Sequence, residues 1–239
     1  MQHLALDNTN LKRKWSSSIG RGATDRLPLT AQPIIVDGVI YTLDSKSNLK
    51  AFEEQSGKRL WDLKLKAAKK NNEAAVSGGL GFGAGYVFAT TGQDVIFAVD
   101  PKTQAAVWTK DLNSPLRAAP AVLDNRVYAL SLDGRLIAMD AQGGEILWEH
   151  QGLTQTSTLL GAASPAVNDS IVVAPYSSGE LFGLRVENGS TVWSDSLSAL
   201  HKGAGFSNVS DIKGHPVIDK DMIFAISYSG RMIAIHART

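Results

Sequence analysis

The chain has 239 residues, 44% of them hydrophobic and 20% charged, an ordinary balance for a globular protein with material for one large domain or two small ones. Lys and Arg number 24 against 23 Asp and Glu, so no overall charge field favours a nucleic acid or an anionic membrane surface. The absence of cysteine excludes disulfides, thiolate zinc sites, iron–sulfur ligation and a cysteine nucleophile.

The N-terminal stretch MQHLALDNTNLKRKW has no basic segment followed by an apolar run, and it is expected not to act as a signal peptide. No window reaches the length of a membrane span, so direct membrane insertion is not expected. The segment ending at Trp15 has the pattern of LKAFEEQSGKRLW at Trp61, VIFAVDPKTQAAVW at Trp108 and LIAMDAQGGEILW at Trp148. Ten residues before each tryptophan stands a small residue: Ala5, Ala51, Ala98, Ala138, and Gly183 ahead of Trp193. Ten before the small positions come Tyr41, Phe88, Tyr128 and Val173, with Phe224 ten before Ala234. Eight earlier again are Pro33, Leu80, Pro120, Pro165 and Pro216. The tryptophans are spaced by 46, 47, 40 and 45 residues.

Apolar residues within a unit alternate, as in Val127 and Ala129, which is strand periodicity. Glycine-containing turns at Asp133-Gly134, Ser178-Gly179, Ser229-Gly230, Gln142-Gly144 and Asn188-Gly189 separate the runs as antiparallel hairpins. Each unit therefore predicts four short antiparallel strands with apolar side chains on both faces. Radial stacking of such units buries both faces, which gives an all-β propeller. In chain order the predicted blades are a partial one at residues 1–15, complete ones at 28–65, 76–111, 117–150 and 160–196, and a partial one at 212–239. The small residue is expected at the narrow part of a sheet and the tryptophan in the wedge between neighbours. The longest connector, between Trp193 and Pro216, is Gly- and Ser-rich and predicts a surface loop, where repeat folds often bind.

Candidate chemistry is sparse. His3, His150, His201, His215 and His236 fall at unrelated repeat positions and make no metal-binding pair at i, i+4. Asp7, Asp100 and Asp140 recur at one position near a turn, where Asp bonds turn amides. GGLGFGAG, residues 78–85, has the glycine density of a phosphate loop but lacks the Gly-Lys-Ser/Thr ending and occupies the place of a first strand. LKLKAAKKNN, residues 63–72, reads as an outer edge strand guarded by lysines. No cofactor or metal is expected from these residues.

The unit seen in LIAMDAQGGEILW and VIFAVDPKTQAAVW resembles the pyrroloquinoline-quinone-type repeat, which serves quinoprotein dehydrogenases and the BamB family of outer-membrane assembly lipoproteins. The segments TLLGAASPAV (158–167) and SDIKGHPVIDKDMIFAISYSGRMIAI (210–235) are similar to the BamB family. That resemblance implies about five blades of an eight-bladed propeller. It also implies a non-enzymatic scaffold at the periplasmic face of the outer membrane, binding the POTRA domains of BamA through two neighbouring connectors. Leu159 matches a family Leu and Asp211 the first of two Asp residues. Leu160 stands where Arg is expected, Ser157 at another Leu and Lys213 at the second Asp. The implied partner-binding residues are Leu159, Leu160, Asp211 and Lys213. The parent of such a scaffold is expected to be a lipoprotein; the 239 residues contain no cysteine and are not expected to include a signal peptide. Two other readings stay open: a fragment of a quinone-dependent dehydrogenase, which would call for calcium ligands, a catalytic Asp and an adjacent cysteine pair, and a generic propeller interaction domain.

Overall fold

The computed structural model describes residues 12–25, 28–66, 78–153, 162–197, 212 and 214–237. Among them there is no helix, and nineteen strands make five antiparallel sheets. The first sheet contains β1 (Ile34–Val36), β2 (Val39–Leu43), β3 (Asn48–Glu53) and β4 (Arg59–Lys64). The second contains β5 (Gly79–Gly83), β6 (Tyr86–Thr90), β7 (Val95–Asp100) and β8 (Ala105–Asp111). The third is β9 (Ala121–Leu123), β10 (Arg126–Leu130), β11 (Arg135–Asp140) and β12 (Ile146–Gln151). The fourth is β13 (Ala166–Val167), β14 (Ile171–Pro175), β15 (Glu180–Arg185) and β16 (Thr191–Ser196). The fifth has three strands, β17 (Val217–Asp219), β18 (Met222–Ile226) and β19 (Met232–His236). Within every sheet the strands pair in sequence order.

The first strands touch one another in series, β1 with β5, β5 with β9, β9 with β13 and β13 with β17. The sheets thus fan around an axis, first strand innermost, as propeller blades. Period-two alternation sends neighbouring residues of one strand into different layers. Val87 and Ala89 pack with Tyr41, Leu43 and Leu49 of the first blade, whereas Phe88 and Ala98 pack with Val127 and Ile137 of the third. The core is therefore a succession of layers between blades, which is why β7 is buried through Val99 and β14 along its whole length.

The ten-residue spacings are cross-strand register. Tyr128 lies opposite Ala138, and Ala138 opposite Trp148. The rows Tyr41–Ala51–Trp61 and Phe88–Ala98–Trp108 repeat this. Over each alanine the two flanking rings meet, with centroids 5.9, 5.8 and 5.9 Å apart and planes tilted by 53, 52 and 51°. The small residue is thus required less by a narrow part of the sheet than by the two rings closing over it. In the fourth blade the aromatic is replaced by Val173, and Trp193 settles against Gly183 so closely that a Cβ there would overlap the indole. A β-bulge follows the small residue in each four-stranded blade, at Ala51/Phe52, Ala98/Val99, Ala138/Met139 and Gly183/Leu184.

Three of the tryptophans also reach forward to the next repeat. Trp15 donates to the Glu54 carbonyl at 2.8 Å, Trp108 to Ala141 at 3.0 Å and Trp148 to Val186 at 3.0 Å. Each of these three rings lies on the glycine of the next blade's third turn, Gly57, Gly144 or Gly189, whose φ values are +70, +75 and +71°. Trp15 belongs to no strand among the described residues, although its ring is held in this way. Trp193 Nε1 is buried without a hydrogen-bond partner among the described residues.

The turn acids act as the sequence suggests: Asp100 accepts from Lys102 N at 2.8 Å, and Asp140 from Gln142 N and Gly143 N at 2.9 and 2.8 Å. The glycines of β5 are explained by packing. A Cβ on Gly79 or Gly83 would overlap Ala119 or Val122, and one on Gly81 would come within 2.6 Å of the Pro120 carbonyl. The lysine-rich run corrects the reading above, because β4 ends at Lys64 and includes only the first two of its residues. Residues 67–72 of that run lie outside the described residues.

Candidate partner-binding rim

The connectors between blades share one rim with the turns joining second to third strands. The residue after each fourth strand is tied to that turn: Leu65 N donates to Ser47 O, Leu112 N to Asp94 O, Gly152 N to Gly134 O and Leu197 N to Gly179 O, all within 2.8–3.0 Å. The connector after β8 is also fixed to both blades it joins, since Leu116 N donates to Gln93 O at 2.8 Å and Leu132 N to Pro115 O at 2.9 Å. Beneath it Thr90, fully buried, accepts from Gly79 N at 3.0 Å and donates to the Ala118 carbonyl at 2.7 Å. Arg135 completes this support by donating to Leu112 O at 2.6 Å while pairing with Asp133 at 2.9 Å and Glu149 at 3.3 Å. Burial pushes the Asp133 carboxyl pKa up, but hydrogen bonds from Ser131 and Arg135 and the guanidinium charge outweigh it and hold the carboxyl below its usual value.

The partner-binding residues implied by resemblance, Leu159, Leu160, Asp211 and Lys213, lie outside the described residues, as does Ser157. The described flanks of their two connectors are on this rim and meet. Ser164 N donates to His215 Nδ1 at 2.8 Å, joining the entry to the fourth blade to the entry to the fifth. Ile212 forms an isolated antiparallel bridge with Ser227. Large exposed apolar groups stand nearby: Leu153, anchored by its N–H to Glu180 Oε2 at 2.8 Å, and Tyr228 are 65% and 64% exposed.

On the axis at this rim is a cavity of about 350 Å³. The residue immediately before each blade's anchor position lines it: Gln32, Gly79, Ala119, Ser164 and His215. Thr30, Arg117 and Ala162, each three residues before an anchor, line it as well. His215 thus stands at a repeat position that no other histidine shares, in keeping with the unrelated positions expected of the five. The signal was its adjacency to Pro216, shared with Gln32 before Pro33 and Ser164 before Pro165. His150, by contrast, serves the layer between the third and fourth blades. Its Nδ1 lies 2.7 Å from the Tyr176 hydroxyl and its ring 4.7 Å from that of Phe182. Among the described residues no three His, Asp or Glu side chains are placed to hold a metal ion.

The family described as Outer membrane protein assembly factor BamB matches residues 2–77 and 46–239. Outer membrane protein assembly factor BamB of Yersinia pestis is 24% identical over 94% of this chain and 58% of that protein. An uncharacterized protein of Rickettsia conorii is 27% identical over 97% of this chain and 55% of its own length. The chain thus spans little more than half the length of these relatives. Among solved structures, BamB from Moraxella catarrhalis superposes with a TM-score of 0.74 at 21% identity, covering 87% of this chain and 61% of that one. A quinohemoprotein alcohol dehydrogenase from Pseudomonas putida superposes at 0.68 with 15% identity, covering 91% and 42%, a likeness of fold alone. With the family matched along nearly its whole length and a propeller built from its repeat, the chain belongs to the BamB family of outer-membrane protein assembly factors.

Proposed function

We propose that this chain is part of a non-enzymatic scaffold of the outer-membrane β-barrel assembly machinery, working at the periplasmic side and binding the POTRA domains of BamA. The observation that carries the reading is the family match together with a rim whose two adjacent connectors are joined by the Ser164–His215 bond. The mechanism is positional. Stacked blades hold connector ends at fixed separation, so a partner domain docking across both is oriented without chemistry on the scaffold's side.

The contacts proposed are those of Leu159 and Leu160 in one connector and Asp211 and Lys213 in the other. An apolar side chain at the centre of an interface contributes more on truncation than a rim charge, which acts mainly on association rate. In a titration of the chain with BamA periplasmic domains, Leu159→Ala is expected to weaken binding by about 2 kcal/mol, roughly thirtyfold. Asp211→Ala is expected to cost less and to reduce the salt dependence. Lys102→Ala, in the turn between β7 and β8 on the opposite rim, is the control. Unchanged affinity in both variants removes these contacts, and no binding by the parent chain removes the scaffold reading.

A further inference from the structure

The axial cavity brings together five equivalent repeat positions, and their chemistry is lopsided. Arg117, Ser164 and His215 supply donors, as does the Gln32 amide, and no carboxylate stands among the described lining residues. Arg117 Nε and Ser164 Oγ are both buried with no hydrogen-bond partner among the described residues. Among the described residues Arg126 Nε is likewise buried without a partner but does not line this cavity, whereas Arg135 is answered by Asp133 and Glu149. His215 adds a third donor. Its Nδ1 already accepts the Ser164 N–H at 2.8 Å, so the neutral ring carries its proton on Nε2.

Buried polar groups are nearly always satisfied, and a guanidinium nitrogen left without a partner keeps its desolvation cost. Two such orphans, each just beneath the surface on a side chain that lines one open cavity, therefore indicate a missing acceptor. We propose that the axial cavity is a carboxylate-binding site in which one carboxylate group is held by Arg117, Ser164 and His215. One guanidinium and two neutral donors balance a single negative charge, whereas a phosphate dianion would keep an unanswered charge in a half-enclosed space. The flat fork of arginine also matches the geometry of a carboxylate. The volume lies at the lower end of the small-ligand range, so it suits a carboxylate on a short stem. That group could be a free small organic acid or the C-terminal carboxylate of a peptide reaching over the rim. The inference does not rest on the scaffold reading, since it concerns residues on the axis and not the connector residues proposed to meet BamA.

The test is calorimetric titration of the full 239-residue chain with three probes: glutarate, acetyl-trialanine with a free carboxylate, and acetyl-trialanine amide. Saturable one-site binding of glutarate, of the free-acid peptide or of both is expected, with none for the amide. Glutarate alone would assign a small acid and the peptide alone a chain terminus. Arg117→Gln should weaken binding at least tenfold and Ser164→Ala severalfold, while Lys102→Gln leaves it unchanged, each variant first shown by circular dichroism to fold. Should Arg117→Gln fail to fold, Ser164→Ala alone decides. Absence of saturable binding by both free acids, equal binding of the amide, or full affinity in a folded Arg117→Gln or Ser164→Ala variant overturns the proposal. Because the BamA titration uses different variants, either reading can fail without the other.

Discussion

Substituting alanine for Gly189 tests how each tryptophan locks the blade that follows it. Gly189 has φ +71°, and a Cβ there would come within 2.5 Å of Trp148 Cε3. A left-handed backbone costs a non-glycine residue about 1 kcal/mol. The indole must also move, and Trp148 Nε1, only 9% exposed as a residue, loses its 3.0 Å bond to the Val186 carbonyl. A buried donor left unpaired costs about 1–3 kcal/mol, so Gly189→Ala is expected to lose about 2–4 kcal/mol in all. Gly38 supplies the control, because its φ is +76° yet no heavy atom lies within 4 Å of where a Cβ would be built. Gly38→Ala should lose only the backbone part, about 1 kcal/mol. For a chain of this size each kcal/mol moves the midpoint by about 2–4 °C, which separates a shift of roughly 5–15 °C from one of about 2–4 °C. Urea titration followed by circular dichroism, with thermal melts alongside, measures both. Equal losses in the two variants would show that the tryptophan does not press on the next blade's turn.

Thr90→Val should destabilise by about 1–3 kcal/mol, because the Ala118 carbonyl of the connector loses its donor and the Gly79 N–H its side-chain acceptor while the side-chain volume hardly changes. Thr90→Ser should recover most of this in the same urea titration, and parity of Val with Thr refutes the role. His150 is held below its usual pKa by burial between Tyr176 and Phe182, opposed by the charge of Glu180. The fold favours the neutral ring, so its contribution is complete above the unfolded value of 6.5 and is lost as pH falls from there through the lower folded value. Urea midpoints between about pH 7 and about pH 5 should therefore fall less steeply in His150→Gln than in the parent, and parallel slopes contradict this.

The blade architecture was legible because its physics is periodic. A spacing of ten residues appears in the sequence whenever two hairpins place Tyr128, Ala138 and Trp148 in one row, and no tertiary information is needed to see it. What the spacing did not reveal is that the alanine is kept small by rings meeting above it, since that depends on side-chain direction as well as order. The glycines of β5 were read away from phosphate binding by position, but their cause, the approach of Ala119, Pro120 and Val122, lies in the neighbouring blade. The axial cavity was illegible for a different reason. Its wall positions hold Gln32, Gly79, Ala119, Ser164 and His215, which share a place and no chemistry, so neither hydropathy nor residue type marks them. The connector residues Leu159, Leu160, Asp211 and Lys213 came from family likeness, because irregular segments offer no period to read.

The forward reach of the tryptophans gives the chain a temporal order. The carbonyl that receives each indole lies 39 residues downstream for Trp15, 33 for Trp108 and 38 for Trp148. A blade leaving the ribosome with all its strands paired is therefore still unfinished. It waits for most of another repeat, on the order of a few seconds at roughly 5–20 residues per second. During that interval its indole faces solvent and is open to any chaperone that binds exposed aromatics. Loss of a blade is likewise unequal in its effects: it deprives the repeat made before it of an acceptor, and leaves the one made after it with its own tryptophan still bonded ahead.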